Sequence, residues 1–163
     1  MIFVGYYGIG KSTLCERNPT FIDLESKYFR DRENDVGWLG GSKGLNNYIW
    51  LVRSLNDAGR HIFVSSDKDI RQFILNDKGI DKDQVVYICP EKTLKDVWLS
   101  KLYKRWVDTS DKKDWFSYIR STKKFKEDIE SMEADNIKTI WLKDADYNLE
   151  DLLAKYVKKE YKK

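Results

Sequence analysis

The chain is poor in the residues that build metal centres and disulfide frameworks. Its two cysteines, Cys15 and Cys89, lie far apart and outside any metal-ligand spacing. That excludes a disulfide scaffold and a zinc site, and leaves two small buried thiols as the expectation. A single histidine, His61, cannot build a histidine metal centre. Charge of one sign is scarce too: 30 Lys plus Arg face 27 Asp plus Glu, a formal excess of +3, too small to mark a nucleic-acid track without a localised stripe. No long apolar run exists, and Met1-Ile2-Phe3-Val4 leads straight into glycines and Lys11 with no basic segment before it. Neither a membrane span nor a signal peptide is expected, and a cytoplasmic, reducing location is. The N-K-x-D and D-x-x-G elements of guanine-specific switches are missing as well. What is present, 41% apolar, 14% aromatic and 35% charged residues over 163 positions, is the composition of one soluble domain that hides roughly two thirds of its unfolded surface.

Short apolar runs alternate with helical periods along the chain. Ile2-Phe3-Val4 stops at glycines and reads as a buried strand; Lys11 to Arg17 favours helix until Asn18-Pro19, where the proline ring disfavours helix for the residue before it. Phe21-Ile22, Ile62-Phe63-Val64, Val85 to Cys89 and Ile137 to Leu142 read as four further strands. Leu45, Tyr48, Ile49, Val52 and Leu55 share one helical face that Gly59 terminates; Ile70, Phe73 and Ile74 mark the next helix, and Leu94, Val97, Trp98 and Leu102 another, continuing toward Trp106. Residues 108 to 114 have no apolar member and are expected in water, dividing that helix from one over about Trp115 to Glu133. Asn148 caps a last helix bearing Leu149, Leu152, Leu153, Tyr156 and Val157. Strands alternating with helices predict the α/β class with a mainly parallel five-stranded sheet covered on both faces. The glycine-rich stretch 27–44 is expected to be mobile.

Gly5-Tyr6-Tyr7-Gly8-Ile9-Gly10-Lys11-Ser12 fits G-x-x-x-x-G-K-[ST] between the first strand and the first helix, the context that the pattern requires. Glycines permit dihedrals barred to other residues, so the backbone N–H groups of Gly8, Ile9, Gly10, Lys11, Ser12 and Thr13 can turn inward toward phosphate oxygens. Lys11 can reach the β- and γ-phosphates of a nucleotide, and the Ser12 hydroxyl can hold Mg2+.

With this cradle the sequence resembles the small P-loop kinases, the group that includes adenylate kinase and shikimate kinase, and the resemblance spans nearly the whole chain. It implies a three-layer α/β/α P-loop fold, one domain over 1–163, ATP and Mg2+ as cofactors, and a short lid. Phe21-Ile22-Asp23-Leu24-Glu25 looks like the F-x-D-x-D segment of shikimate-type kinases, which implies that Asp23 binds the magnesium's water shell and faces the acceptor; the second acid is here Glu25. Lys101-Leu102-Tyr103-Lys104-Arg105 is similar to the R-L-x-x-R of nucleotide kinases, with lysine first. That likeness puts Arg105 on the transferring phosphates, makes about 107–114 the lid, and returns Arg120 from its far side.

A phosphorylated acceptor needs its own cations near the second and third strands, and Arg30, Arg32 and Arg71 are the candidates. Asp67 is the second choice after Asp23 as a magnesium partner. Among the tryptophans, Trp38 lies where stacking on an acceptor is plausible, whereas Trp98 and Trp106 sit at core-like positions. The expected activity is phosphoryl transfer from ATP to a nucleoside monophosphate, with no nucleic-acid or membrane partner and the oligomeric state open. A kinase acting on a hydroxyl of a small metabolite or nucleoside, with Asp23 as base, and a non-catalytic nucleotide-binding protein are the alternatives.

Overall fold

A computed structural model describes residues 1–29, 38 and 41–157. The apolar runs form strands β1 (Ile2–Gly5), β2 (Phe21–Asp23), β3 (His61–Ser65), β4 (Val85–Pro90) and β5 (Thr139–Leu142). Between and after them lie helices α1 (Lys11–Arg17), α2 (Ser42–Asp57), α3 (Lys68–Asn76), α4 (Lys95–Thr109), α5 (Lys112–Glu133) and α6 (Leu149–Val157). All strand pairs are parallel, in the order β2-β3-β1-β4-β5.

A parallel sheet needs a crossover between neighbouring strands and is therefore covered on both faces, which is why its strands read as unbroken apolar runs. On one face Phe3, Phe21, His61 and Phe63 stack ring against ring, and Tyr156 of α6 closes on Phe3 edge-on at 5.8 Å. Helix α1 touches β2 and α6 on that side. On the other face Tyr87 and Cys89 of β4 meet the end of α5: the Tyr87 hydroxyl donates to Asp135 at 2.8 Å and Cys89 Sγ lies 3.2 Å from Met132 Sδ. Helix α2 packs on β3 and on α3. One apolar cluster joins sheet and helices.

The helical periods place most core residues: Leu45, Tyr48, Ile49, Val52, Ile70, Ile74, Trp98 and Leu102 are buried. Phe73 and Val97 are not. Both share the helical period of buried neighbours yet face solvent, Phe73 with 42% of its surface exposed, because a period of 3.6 defines an arc and its flanking positions can fall outside the contact. Strand β5 starts at Thr139 rather than Ile137.

The expectation for 108–114 holds over most of the segment, since 108–113 are exposed, and fails at its end. Helices α4 and α5 almost meet, turning at Ser110 (φ 54°) and Asp111, and Asp114 is buried at 8% exposure rather than solvated. Thr109 Oγ1 donates to its carboxylate at 2.8 Å and Arg105 pairs with it. The segment expected as a lid, about 107–114, takes the form of a tight helical corner. Most of the 27–44 stretch lies outside the described residues. No described helix is long and apolar enough to cross a membrane.

Candidate functional site

Strand β1 ends at Gly5, and the chain turns through Tyr6 to Gly10 into α1. Gly8 (φ 78°) and Gly10 (φ 91°) take left-handed dihedrals that a side chain would resist. No side chain caps α1, so the amides of Lys11, Ser12 and Thr13 begin the helix without intrahelical acceptors. The loop is fixed from behind. Trp98 Nε1 donates to the Tyr7 carbonyl at 2.8 Å, Tyr147 donates its hydroxyl to the Ile9 carbonyl at 3.0 Å, and the Ile9 side chain is buried.

Lys11 folds back across Gly5, where a Cβ would come within 2.9 Å of its Cδ, and donates to the Gly5 carbonyl at 2.9 Å. Burial pushes its ammonium down to about 8, against the pull of Asp23, while Lys113 and Arg105 repel it further. Beside it the Ser12 hydroxyl donates to Asp23 Oδ2 at 2.7 Å. This pairs the first turn of α1 with the carboxyl end of β2.

The donor set fits Mg2+. It offers a hydroxyl and a carboxylate, both hard oxygens, and among the described residues no three His, Cys, Asp or Glu side chains gather into a cage. Mg2+ characteristically takes one or two protein oxygens and completes its shell with phosphates and water.

On the same side opens a cavity of about 720 Å³, bounded by the carboxyl ends of β2 and β3 and by the first half of α5. Lys11, Asp23, Tyr7 and Asp67 line it. Its walls carry seven cations, the others being Lys27, Lys112, Lys113, Arg120, Lys123 and Lys124, against three carboxylates, Asp23, Glu25 and Asp67. The Tyr7 hydroxyl donates to Asp67 Oδ1 at 3.1 Å; burial, with Asp67 beside it, drives the phenol pKa upward and keeps it a neutral donor. Burial alone would raise the Glu25 carboxyl, but hydrogen bonds from Lys113 and Lys27 more than offset it and hold the group below its usual range.

The other residues singled out from the sequence divide clearly. Arg120 lines the cavity and forks onto Asp128 at 3.1 and 2.9 Å. Arg105 does not line it: its guanidinium pairs with Asp114, and its buried Nε has no hydrogen-bond partner among the described residues. Lys101, in the place of the first arginine of the R-L-x-x-R pattern, lies over the rings of Trp98 and Tyr147 at 4.6 and 4.7 Å. Trp38 packs on Tyr48 at 5.6 Å rather than lining the cavity. Arg71, expected on an acceptor phosphate, is 2% exposed and pairs with Asp135, with further bonds to Ser66 and Ser131. Arg30 and Arg32 lie outside the described residues.

Sequence reasoning missed the supports of the loop, Trp98 and Tyr147, and the basic wall made by Lys123 and Lys124. A signal existed for the wall, since Lys113, Arg120 and Lys124 recur at helical spacing. None existed for Tyr147, which reaches the loop from 138 residues away. No protein-family model matches the chain, and no curated protein matches it.

Proposed function

We propose that the protein is a P-loop kinase that transfers the γ-phosphoryl group of ATP to a nucleoside monophosphate. The observation that carries this reading is the Ser12–Asp23 bond of 2.7 Å beside the half-buried Lys11, at the edge of a cavity whose walls are mostly cationic. Lys11 and the amides of residues 8–13 hold the donor's β- and γ-phosphates. Ser12 and Asp23 are the residues that hold Mg2+, which when bound neutralises charge on those phosphates. A monophosphate acceptor is already an anion, so the chain needs no strong base; it needs position and positive charge. Arg120 on the cavity wall supplies charge toward the transferring group.

A second reading, transfer to a hydroxyl of a small metabolite or nucleoside, is favoured by Asp23 and Asp67, two carboxylates lining the same cavity that can accept a hydroxyl proton. The test is ADP formation from ATP and Mg2+ with a panel of nucleoside monophosphates, nucleosides and small hydroxy acids, using Lys11→Ala as the blank. ADP formation that requires a monophosphate and vanishes in the blank is the expected result. Turnover with hydroxyl acceptors alone selects the second reading. Calorimetry that detects no ATP binding to the wild type overturns both.

A further inference from the structure

We propose that one face of α5 chooses the acceptor: Lys113, Arg120, Lys123 and Lys124 draw in the anionic group of a nucleoside monophosphate, and Phe116 gives its planar base a surface to lie on. The inference rests on the kinase reading above and goes beyond it by naming the element that selects the acceptor.

The helical geometry comes first. Lys113, Ser117, Arg120 and Lys124 recur at steps of four, three and four residues and line the cavity as one stripe, with Lys112, Phe116 and Lys123 beside it. At 3.6 residues per turn these positions fit within an arc of about 140°. The opposite side of the helix is apolar and carries Phe125, Ile129 and Met132 into the core. The orientation of the basic face is therefore set by the burial of the other one, and it points into the cavity whether or not a ligand is bound.

The lysines of this face are held more loosely than Arg120, which forks onto Asp128. Lys113 pairs with Glu25 across the cavity, Arg120 with Asp128, and Lys124 with Glu127 at 3.5 Å, the last pair largely exposed on both sides. Exposed ion pairs are weak in water, and a phosphate carrying close to two negative charges competes with a carboxylate for the same donors. Arg71, the cation that follows β3, is turned away to Asp135 and offers no rival site.

Phe116 supplies the second half of the argument. It is 52% exposed on a wall otherwise polar and mostly basic, and the Lys112 ammonium lies 5.6 Å from its ring centre. Among the described residues it is not one of the hydrophobics packed on the core. A planar base lying on it removes apolar surface from water while the base's phosphate reaches the cations one or two turns away on the same face.

The test is calorimetric titration, without ATP, of AMP, GMP, CMP, UMP and dTMP into the wild type, Lys123→Ala/Lys124→Ala and Phe116→Ala. The substituted positions are all exposed, so unchanged unfolding midpoints will show that the variants fold. At least one monophosphate is expected to bind the wild type, with affinity that falls as salt rises. The double lysine variant should weaken it fivefold or more and flatten the salt dependence, whereas Phe116→Ala should weaken it and leave the salt dependence as it was. Binding of no monophosphate to the wild type, or a loss of less than fivefold in the double variant, overturns the inference. ATP titrated into the wild type and Lys11→Ala decides the kinase reading separately, so the two can fail independently.

Discussion

At Lys11, burial and chemistry compete for one proton. Enclosure lowers the ammonium from its ordinary 10.5 to about 8, with Asp23 pulling the other way. Because the folded value lies below the unfolded one, the unfolded chain binds more protons between those two pH values, and this group adds stability as pH rises through that window. A triphosphate beside the ammonium favours the charged form and pushes its pKa back up. ATP binding near pH 8.5 should therefore take up protons, seen as a binding enthalpy that changes with the ionisation heat of the buffer, and the uptake should vanish in Lys11→Met. Asp23→Asn replaces a charged acceptor of the Ser12 hydroxyl with a neutral one. It should raise the Mg2+ concentration needed for half-maximal activity by roughly 10- to 100-fold, read from activity against metal concentration. Lys11 and Ser12 are legible in the sequence because their setting is made of eight consecutive residues. Asp23 lies just beyond them and needs only the return of β2, so its pattern is readable as well. Arg71 is the opposite case: its partner Asp135 is 64 positions away, and nothing local distinguishes an arginine waiting for a phosphate from one already committed to a carboxylate.

At the scale of elements, the corner between α4 and α5 shows what hydropathy can and cannot say. Six of the seven polar residues at 108–114 are exposed, as a solvated break should be, and Asp114 is not, because polarity records only that a side chain avoids apolar surroundings. It does not record that polar groups can satisfy one another. The Asp111 side chain accepts the Lys113 amide at 2.7 Å and caps α5, and Thr109, Arg105 and Asp114 bond among themselves. The break between two helices shrinks to a pair of residues. Losing the cap in Asp111→Ala should cost about 1 kcal/mol. Asp114→Ala should cost about 1–3 kcal/mol, since it leaves the Arg105 guanidinium without its carboxylate in a partly dry corner. Urea unfolding measures both, and the larger loss belongs to Asp114 if mutual satisfaction rather than capping holds the corner. The same corner sets where α5 begins, and hence which of its residues reach the cavity. A stability defect at Asp114 should therefore be accompanied by altered ligand affinity, while a change on the exposed flank of α4, such as Val97→Thr, should not be.

For the whole molecule, the candidate site stands where the carboxyl ends of β1, β2 and β3 meet the first half of α5. That placement follows from the strand order β2-β3-β1-β4-β5. The alternation of strands and helices made the class predictable, but the order of strands is a matter of which apolar face meets which, and no single segment encodes it. The far end of α5, beyond the half that lines the cavity, is clasped by Arg71. Arg71 on α3 pairs with Asp135 just past α5, donates to the Ser131 carbonyl at 3.0 Å and to its hydroxyl at 2.6 Å, and holds the Ser66 carbonyl at 3.0 Å. Tyr87 of β4 and Gln72 complete the group around the same carboxylate. Removing one member of a buried pair leaves the other uncompensated, at a cost of about 3–5 kcal/mol, a large fraction of the 5–15 kcal/mol typical of a whole domain. Arg71→Ala should therefore unfold at much lower urea concentration. Arg71 does not line the cavity, so the fraction that remains folded at low temperature should bind nucleoside monophosphates with undiminished affinity. The converse outcome, full stability with acceptor affinity lost, would return this arginine to the role that its position after β3 suggests.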